Sequence, residues 1–343
     1  MSLGRTFGAF ALAAFTLSAA TVAARADSVG DFYKDKRITI VVAAGPGGAH
    51  TKYSQLLATY LSKHMPGHPD FITENMGGAG GTKAANYLYN TAPQDGTYIG
   101  ILLSDTPLAS RLRATGVKYD PAKFQYLGGA DQPASAFMVY RSVGVNSLAD
   151  ATKKEVVMGS SGKGSQTYTV PTITNALLGT RFKVITGYRG MGGVYLAMDR
   201  HEIQGFQSVY TSVTFLRPQW IRENKLVLLA VVGPAPLKSH PEVPLLTSLM
   251  KTPEEKAIAE LLSSNATLGR GWLAPPGVPA DRVAALRDAF WKSFNDPEAI
   301  AEAKKRKMEW DPVQWKPMQE AAARITAADK PIIERMQKAL GIK

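Results

Sequence analysis

Three times in this chain an apolar run of strand length stops at a cluster of small residues, and a helical pattern begins at once. "RITIVVAA" (37–44) leads into "GPGGAH" (45–50), "FITEN" (71–75) into "GGAGG" (77–81), and "EVVMG" (155–159) into "SSGKGSQ" (160–166). Strand, tight corner and helix in repetition predict a mostly parallel sheet flanked by helices. In such sheets a ligand sits beyond the carboxyl ends of the strands. Glycine at the corner lets backbone N–H groups approach an anion closely. The fold class is therefore α/β, and the question is which anion the corners serve.

The alternation continues along the chain. After the first corner a helix runs from about Thr51, with Leu56, Leu57, Tyr60 and Leu61 on one face. "TYIGILL" follows the turn "QDG" as a strand, and "AFMVY", "FKVITGY", "IQGFQSV" and "LVLLAVVG" read as further strands. "GGVYLAMDR" and "TFLRPQWIREN" read as helices, as does 252–263, and "GWLAPPG" is one more strand with a proline-glycine stop. Helices close the chain: "PADRVAALRDAFWKSF", "PEAIAEAKKRK" and one from about Pro317. No low-complexity linker divides this. With 343 residues the length fits two domains, and two α/β lobes with facing glycine corners would enclose a cleft.

The first 26 residues have a different character. Arg5 precedes a small-residue-rich apolar stretch, Phe7 to Ala20, and "ARA" (24–26) is an A-x-A cleavage site. This is the pattern of a secretory signal peptide, which places the mature chain in the periplasm. The chain has no cysteine, so it has neither a disulfide nor a site for a cysteine-linked lipid. Its formal charge is +12; Arg5 and Arg25 carry two of these, leaving +10 on the mature chain. That excess favours an anionic partner. The basic residues are scattered and the chain is secreted, which argues against nucleic acid and for a small anion.

Enzymatic and cofactor readings fail on spacing. "GPGGAH" has His50 where a dinucleotide loop needs its third glycine, and Gly162-Lys163 is followed by Gly164 where a Walker loop needs serine or threonine. Pro66 and Gly67 separate His64 from His68, and "RHE" (200–202) lacks the second histidine of a zinc helix. Ser160, Ser161 and Ser165 crowd one loop without a marked base or a G-x-S-x-G. They are helix caps or carboxylate ligands, with a secreted serine hydrolase as the competing reading. Tyr53, Tyr168, Tyr188 and Tyr210 lie near the loops as core or cleft wall.

Taken in order, these segments resemble a known family. "PGG", "TENMGGAGG", "PQDGTYIGILL", "GSSGKGS", "ITGYRGMGGVYLAMDRHEIQG", "LLAVVGPAPLKSHPEVPLL" and "GWLAPPGVPADRVAALRDAFWKSFNDPE" are similar to segments of the Bug receptors, the periplasmic solute receptors of tripartite tricarboxylate transporters. The resemblance spans almost the whole mature chain. It implies a type II-like two-lobed periplasmic binding protein with the ligand cleft between its lobes. One lobe would be 27–133 plus 269–343 and the other 134–268. It further implies a monomer that binds a small carboxylate without cofactor, metal, catalysis or nucleic acid, and passes it to the large and small membrane subunits of the transporter; a membrane sensor is the alternative partner.

Carried over by position, the resemblance implies a first ligand loop of Pro46, Gly47, Gly48, Ala49, His50 and Thr51. It implies a second of Gly78, Ala79 and Gly80, with Ser104 and Asp105 at the next strand end. In the other lobe it implies Ser160, Ser161, Gly164, Ser165 and Gln166, with Tyr188 and Ser208 at strand ends. Two departures matter. Thr51 stands where many relatives carry an aspartate, and "FQS" (206–208) where many carry an "FD" pair. Both remove negative charge, so the expected ligand is a di- or aromatic carboxylate without an amino group.

Overall fold

A computed structural model of the protein describes residues 29–113 and 115–342. The expected signal peptide lies outside the described residues. Two five-stranded sheets organise the chain. Strands β1 (Arg37–Val42), β2 (Asp70–Asn75), β3 (Tyr98–Ile101) and β4 (Gln125–Gly129) belong to the first sheet. Strands β5 (Ser135–Tyr140), β6 (Val156–Gly159), β7 (Phe182–Ile185), β8 (Gly205–Val209) and β9 (Leu226–Val232) form the second. The last strand, β10 (Gly271–Ala274), returns to the first sheet, whose order is β2-β1-β3-β10-β4. The second has the matching order β7-β6-β8-β5-β9.

In each sheet one strand runs against the rest. β10 is antiparallel to β3 and β4, and β5 is antiparallel to β8 and β9. These are the strands that enter a sheet from the opposite lobe, so the reversal follows from the crossover. β1 shows why the sheets are covered on both faces. Ile38, Ile40, Val41 and Val42 are all fully buried, with Thr39 between them, and such a run fits only a strand inside a parallel sheet. β2 alternates between exposed and half-buried residues, as suits an edge.

Five helices follow the strand ends nearest the cleft: α1 (Ala49–His64), α2 (Thr82–Asn90), α3 (Thr106–Leu112), α4 (Gln166–Leu178) and α5 (Met191–Asp199). Ser165 caps α4 by accepting from the N–H of Thr167. The first helix starts at Ala49, two residues before the sequence-based expectation, because the extended Gly48 is its N-cap; His50 therefore sits in the first turn. Two expected helices are each divided. "TFLRPQWIREN" becomes α6 (Tyr210–Leu216) and α7 (Pro218–Arg222), since Pro218 cannot donate to the preceding turn. A further helix is α8 (Pro253–Ser264). After α9 (Ala280–Phe294) and α10 (Pro297–Lys305), the terminal helix is α11 (Trp315–Thr326) and α12 (Lys330–Ala339), separated before Pro331. No described helix is long and apolar enough to cross a membrane.

Candidate ligand-binding cleft

The carboxyl ends of the parallel strands in the two sheets face one another. From one side come the corners after β1, β2 and β3; from the other come those after β6 and β7 and the end of β8. They meet backbone to backbone. A Cβ built on Gly80 would lie 2.5 Å from Gly164 C and Ser165 N across the cleft, and one on Gly192 would lie 2.8 Å from Pro46 O. Only glycine permits an approach this close, so the corners are latch as well as loop. Between them lies a cavity lined by residues of the corners of both sheets, Gly48 and Gly80 from one and Ser161 and Ser165 from the other among them.

Among the residues expected at a ligand, Gly48, Ala49, His50, Gly78, Gly80, Ser104, Asp105, Ser161, Ser165, Gln166 and Ser208 line this cavity. Pro46, Gly47, Thr51, Ala79, Ser160, Gly164 and Tyr188 are not in its wall. Two of these make contacts that hold the corners in place. Thr51 is buried, and its hydroxyl accepts from Asn75 Nδ2 at 2.7 Å, which ties the first corner to the end of β2. Ser160 Oγ lies 2.8 Å and Ser165 Oγ 2.9 Å from Thr167 Oγ1, so these hydroxyls close the corner onto α4. No histidine or carboxylate hydrogen-bonds any of the three serines among the described residues, and a serine nucleophile would need one.

The wall also holds residues that sequence reasoning did not place there: Ser135, Tyr195, Ser212 and Arg270. Arg270 precedes β10 and is 2 % exposed. It forms an ion pair with the equally buried Asp131, donates through Nη2 to Ser212 Oγ at 2.5 Å, and stacks its guanidinium 4.5 Å from the centroid of the Tyr53 ring. Nothing local in "GRGW" marks such a role; the partners come from α1, α6 and the β4–β5 crossover. Tyr195, on α5, is fully buried and held edge-on by Phe206 and Trp220, with ring centroids 5.4 and 5.7 Å away.

Among the described residues, His50 Nε2 and Asp105 Oδ1 in the wall have no hydrogen-bond partner, and the Tyr195 hydroxyl lies beside the Ser208 side chain. Burial, with Arg270 nearby, pushes His50 down to about 3, so its imidazole is neutral at any physiological pH. Burial pushes Asp105 up to about 7, against the pull of two backbone N–H groups and Arg113. Burial also raises Tyr195, which stays a neutral donor. Buried polar atoms left unpaired are costly, and these gather at one cavity that loop amides also border. The wall thus combines a neutral imidazole, a buried carboxyl and a buried phenol with the first turns of α1 and α4.

No family model matches the sequence. A protein of Cupriavidus necator, described as a UPF0065 protein in the gbd 5′ region, is 25 % identical over 345 aligned positions, covering 95 % of both chains. The solved periplasmic binding protein BugD superposes with a TM-score of 0.70 at 18 % identity, covering 91 % of this chain and 99 % of its own. The chain has the Bug receptor fold. An R. palustris protein solved with adipate shares this Bug fold at a TM-score of 0.69 and 20 % identity, with 90 % and 98 % of the two chains covered. The two-lobed architecture expected from the seven segments is therefore the observed one.

Proposed function

We propose that this chain is a Bug-type solute receptor of the periplasm. It captures a small organic carboxylate without an amino group, di- and aromatic acids being the first classes to test. It then presents the acid to the large and small membrane subunits of a tripartite tricarboxylate-type permease, acting as a monomer. The lobes are 27–133 plus 269–343 and 134–268, closing about the two crossovers. The observation that carries this reading is the cavity between the facing corners, lined by Gly48, Ala49 and His50 at the start of α1, with His50 Nε2 unpaired in its wall. The first turn of α1, which no side chain caps, offers N–H groups that attract a carboxylate, and on closure those amides replace the water of the bound anion. Adipate in the R. palustris relative supports an acid of this class.

The missing amine partner rests on two positions. Thr51 gives its hydroxyl to Asn75, and Gln207, in the "FQS" that replaces the relatives' "FD", is neutral and donates to Ser135 Oγ, a residue of the cavity wall. The test is a thermal-shift screen of the mature protein against paired dicarboxylates, their amino-acid analogues and benzoate-type acids. A rise in melting temperature with an acid class lacking an amine is expected. Larger rises with aspartate or glutamate than with the matching dicarboxylates would refute the amine-free reading.

A further inference from the structure

The two crossovers between the sheets run side by side. The Ala130 N–H donates to Arg270 O at 3.1 Å, and the Arg270 N–H to Asp131 O at 3.3 Å. Gly269 has φ +43°, and a Cβ there would collide with Asp131 O, so the two segments touch backbone to backbone. The crossovers thus form a short paired ribbon, from which the Arg270 side chain enters the cavity wall.

Arg270 is gripped from one side of the cleft. Asp131 pairs with its Nη1, and the Tyr53 ring lies against the guanidinium. Tyr53 is itself fixed, because its hydroxyl donates to Glu309 O at 2.7 Å and its ring stacks on Trp310 with centroids 6.2 Å apart. The other terminal nitrogen of Arg270 reaches across, donating through Nη2 to Ser212 Oγ at 2.5 Å. Ser212 belongs to α6, and Phe215, one turn further on, meets the Tyr53 ring edge-on at 6.0 Å. Phe215 and Leu216 pack against the core around the first sheet, although their helix follows β8 of the second. Ser212, Phe215 and Leu216 share one face of α6, so that face leans across the crossovers. A guanidinium is planar and its N–H directions are fixed. Held by Asp131 and Tyr53, it can meet Ser212 in only one orientation of the second lobe.

We propose that Arg270 is a positioning residue for capture: by holding Ser212 it sets the angle at which the lobes come to rest, and it stabilises the closed form through a bond between protein groups. The inference rests on the carboxylate-receptor reading and adds to it. The glycine corners limit closure by backbone contact, and Arg270 fixes it at the crossovers. Because the bond belongs to the closed form, every acid that closes the cleft gains from it equally.

The test titrates adipate, succinate and benzoate into mature protein that has been unfolded and refolded to remove any bound acid. The proteins are wild type, Ser212→Ala, Arg270→Lys and the double variant. Ser212→Ala should weaken each acid that binds wild type by one common factor, roughly tenfold or more, as for a hydrogen bond to a charged group. The loss should appear as faster dissociation with little change in association, and the acid-free variant should melt close to wild type. Arg270→Lys keeps a positive charge for Asp131 but loses the fork that reaches Ser212, so adding Ser212→Ala to it should weaken binding no further. A loss that differs from acid to acid would mean that Ser212 touches the ligand, and would overturn the proposal. Additive losses in the double variant would overturn it too, as would a lower melting temperature with unchanged affinity, which would make the bond part of the fold whether or not the lobes meet. If Arg270→Lys fails to fold, Ser212→Ala alone decides through its affinity and its melting temperature. Acids that bind wild type and Ser212→Ala equally would refute this inference alone; no binding of any acid to wild type would refute the carboxylate reading beneath it.

Discussion

Replacing Gly80 by alanine should separate closure of the cleft from stability of the fold. Gly80 has φ +64°, and its built Cβ falls 2.5 Å from Gly164 C and Ser165 N of the facing lobe. Ordinary carbon contacts begin near ~3.5 Å, so the overlap is about 1 Å. The atoms met are backbone and cannot rotate away. Two costs arise. The left-handed backbone costs an alanine about 1–2 kcal/mol whether the lobes are apart or together, which lowers the melting temperature but not affinity. The clash exists only when the lobes meet. Overpacking of this kind costs about 1–3 kcal/mol, so affinity for the best acid should fall about 5- to 150-fold. Gly179, at the C-cap of α4, is the control. Its φ is +70° and a Cβ there meets nothing within 4 Å, so Gly179→Ala should lower stability similarly and leave affinity unchanged. Titration calorimetry of both variants, with thermal melts of the free proteins, reads the two costs separately. Unchanged affinity in Gly80→Ala would refute the backbone latch.

Three further outcomes are expected. Tyr195→Phe removes a buried hydroxyl that lies in the cavity wall beside Ser208, so acid affinity should fall by about 2- to 12-fold while the melting temperature of the free protein changes little; a lower melting temperature with unchanged affinity would mean the hydroxyl serves the fold. Asp131→Ala strands the buried guanidinium of Arg270 and should cost about 3–5 kcal/mol in urea unfolding; a loss under ~1 kcal/mol would show the pair is dispensable. Asp296 caps α10 and meets His64 at 2.8 Å and Lys63 at 3.0 Å. Burial favours its neutral form, but those partners overcome it and hold the carboxyl at about 2, below its ordinary 3.8. A depressed carboxylate stabilises above its unfolded value and loses that contribution as pH falls through the folded one, so stability should drop between about pH 4 and pH 2, and Asp296→Asn should flatten that limb. An acid limb of equal depth in both proteins would contradict this.

The sheets were legible because β1 is apolar on both faces and each corner carries glycine, which are local and periodic signals. The helix that ends at Leu216 was read through Pro218, and the break before Pro331 was missed, since a proline at a helix start looks like one tolerated within. The cleft was legible where it is made of corners: Gly48, Gly80, Ser161 and Ser165 lie in its wall. Thr51 was placed at the ligand by resemblance, but Asn75 engages its hydroxyl, a contact between residues 24 apart. Arg270, Tyr195 and Ser212 were not legible at all. Each is an ordinary residue in its own segment and becomes informative only through what surrounds it, an ion pair, an aromatic clamp or a guanidinium from the other crossover.

The central claim is that the closed cavity binds a small carboxylate, and titration calorimetry on the mature protein tests it most directly. The protein is first unfolded and refolded to remove any bound acid, then titrated with the acids that most raise its melting temperature. One acid per chain should bind, with the melting curve shifting as binding requires, about 2.7 kcal/mol of added stability at 100 times the dissociation constant. A refolded protein that binds no acid at millimolar concentration would contradict the account.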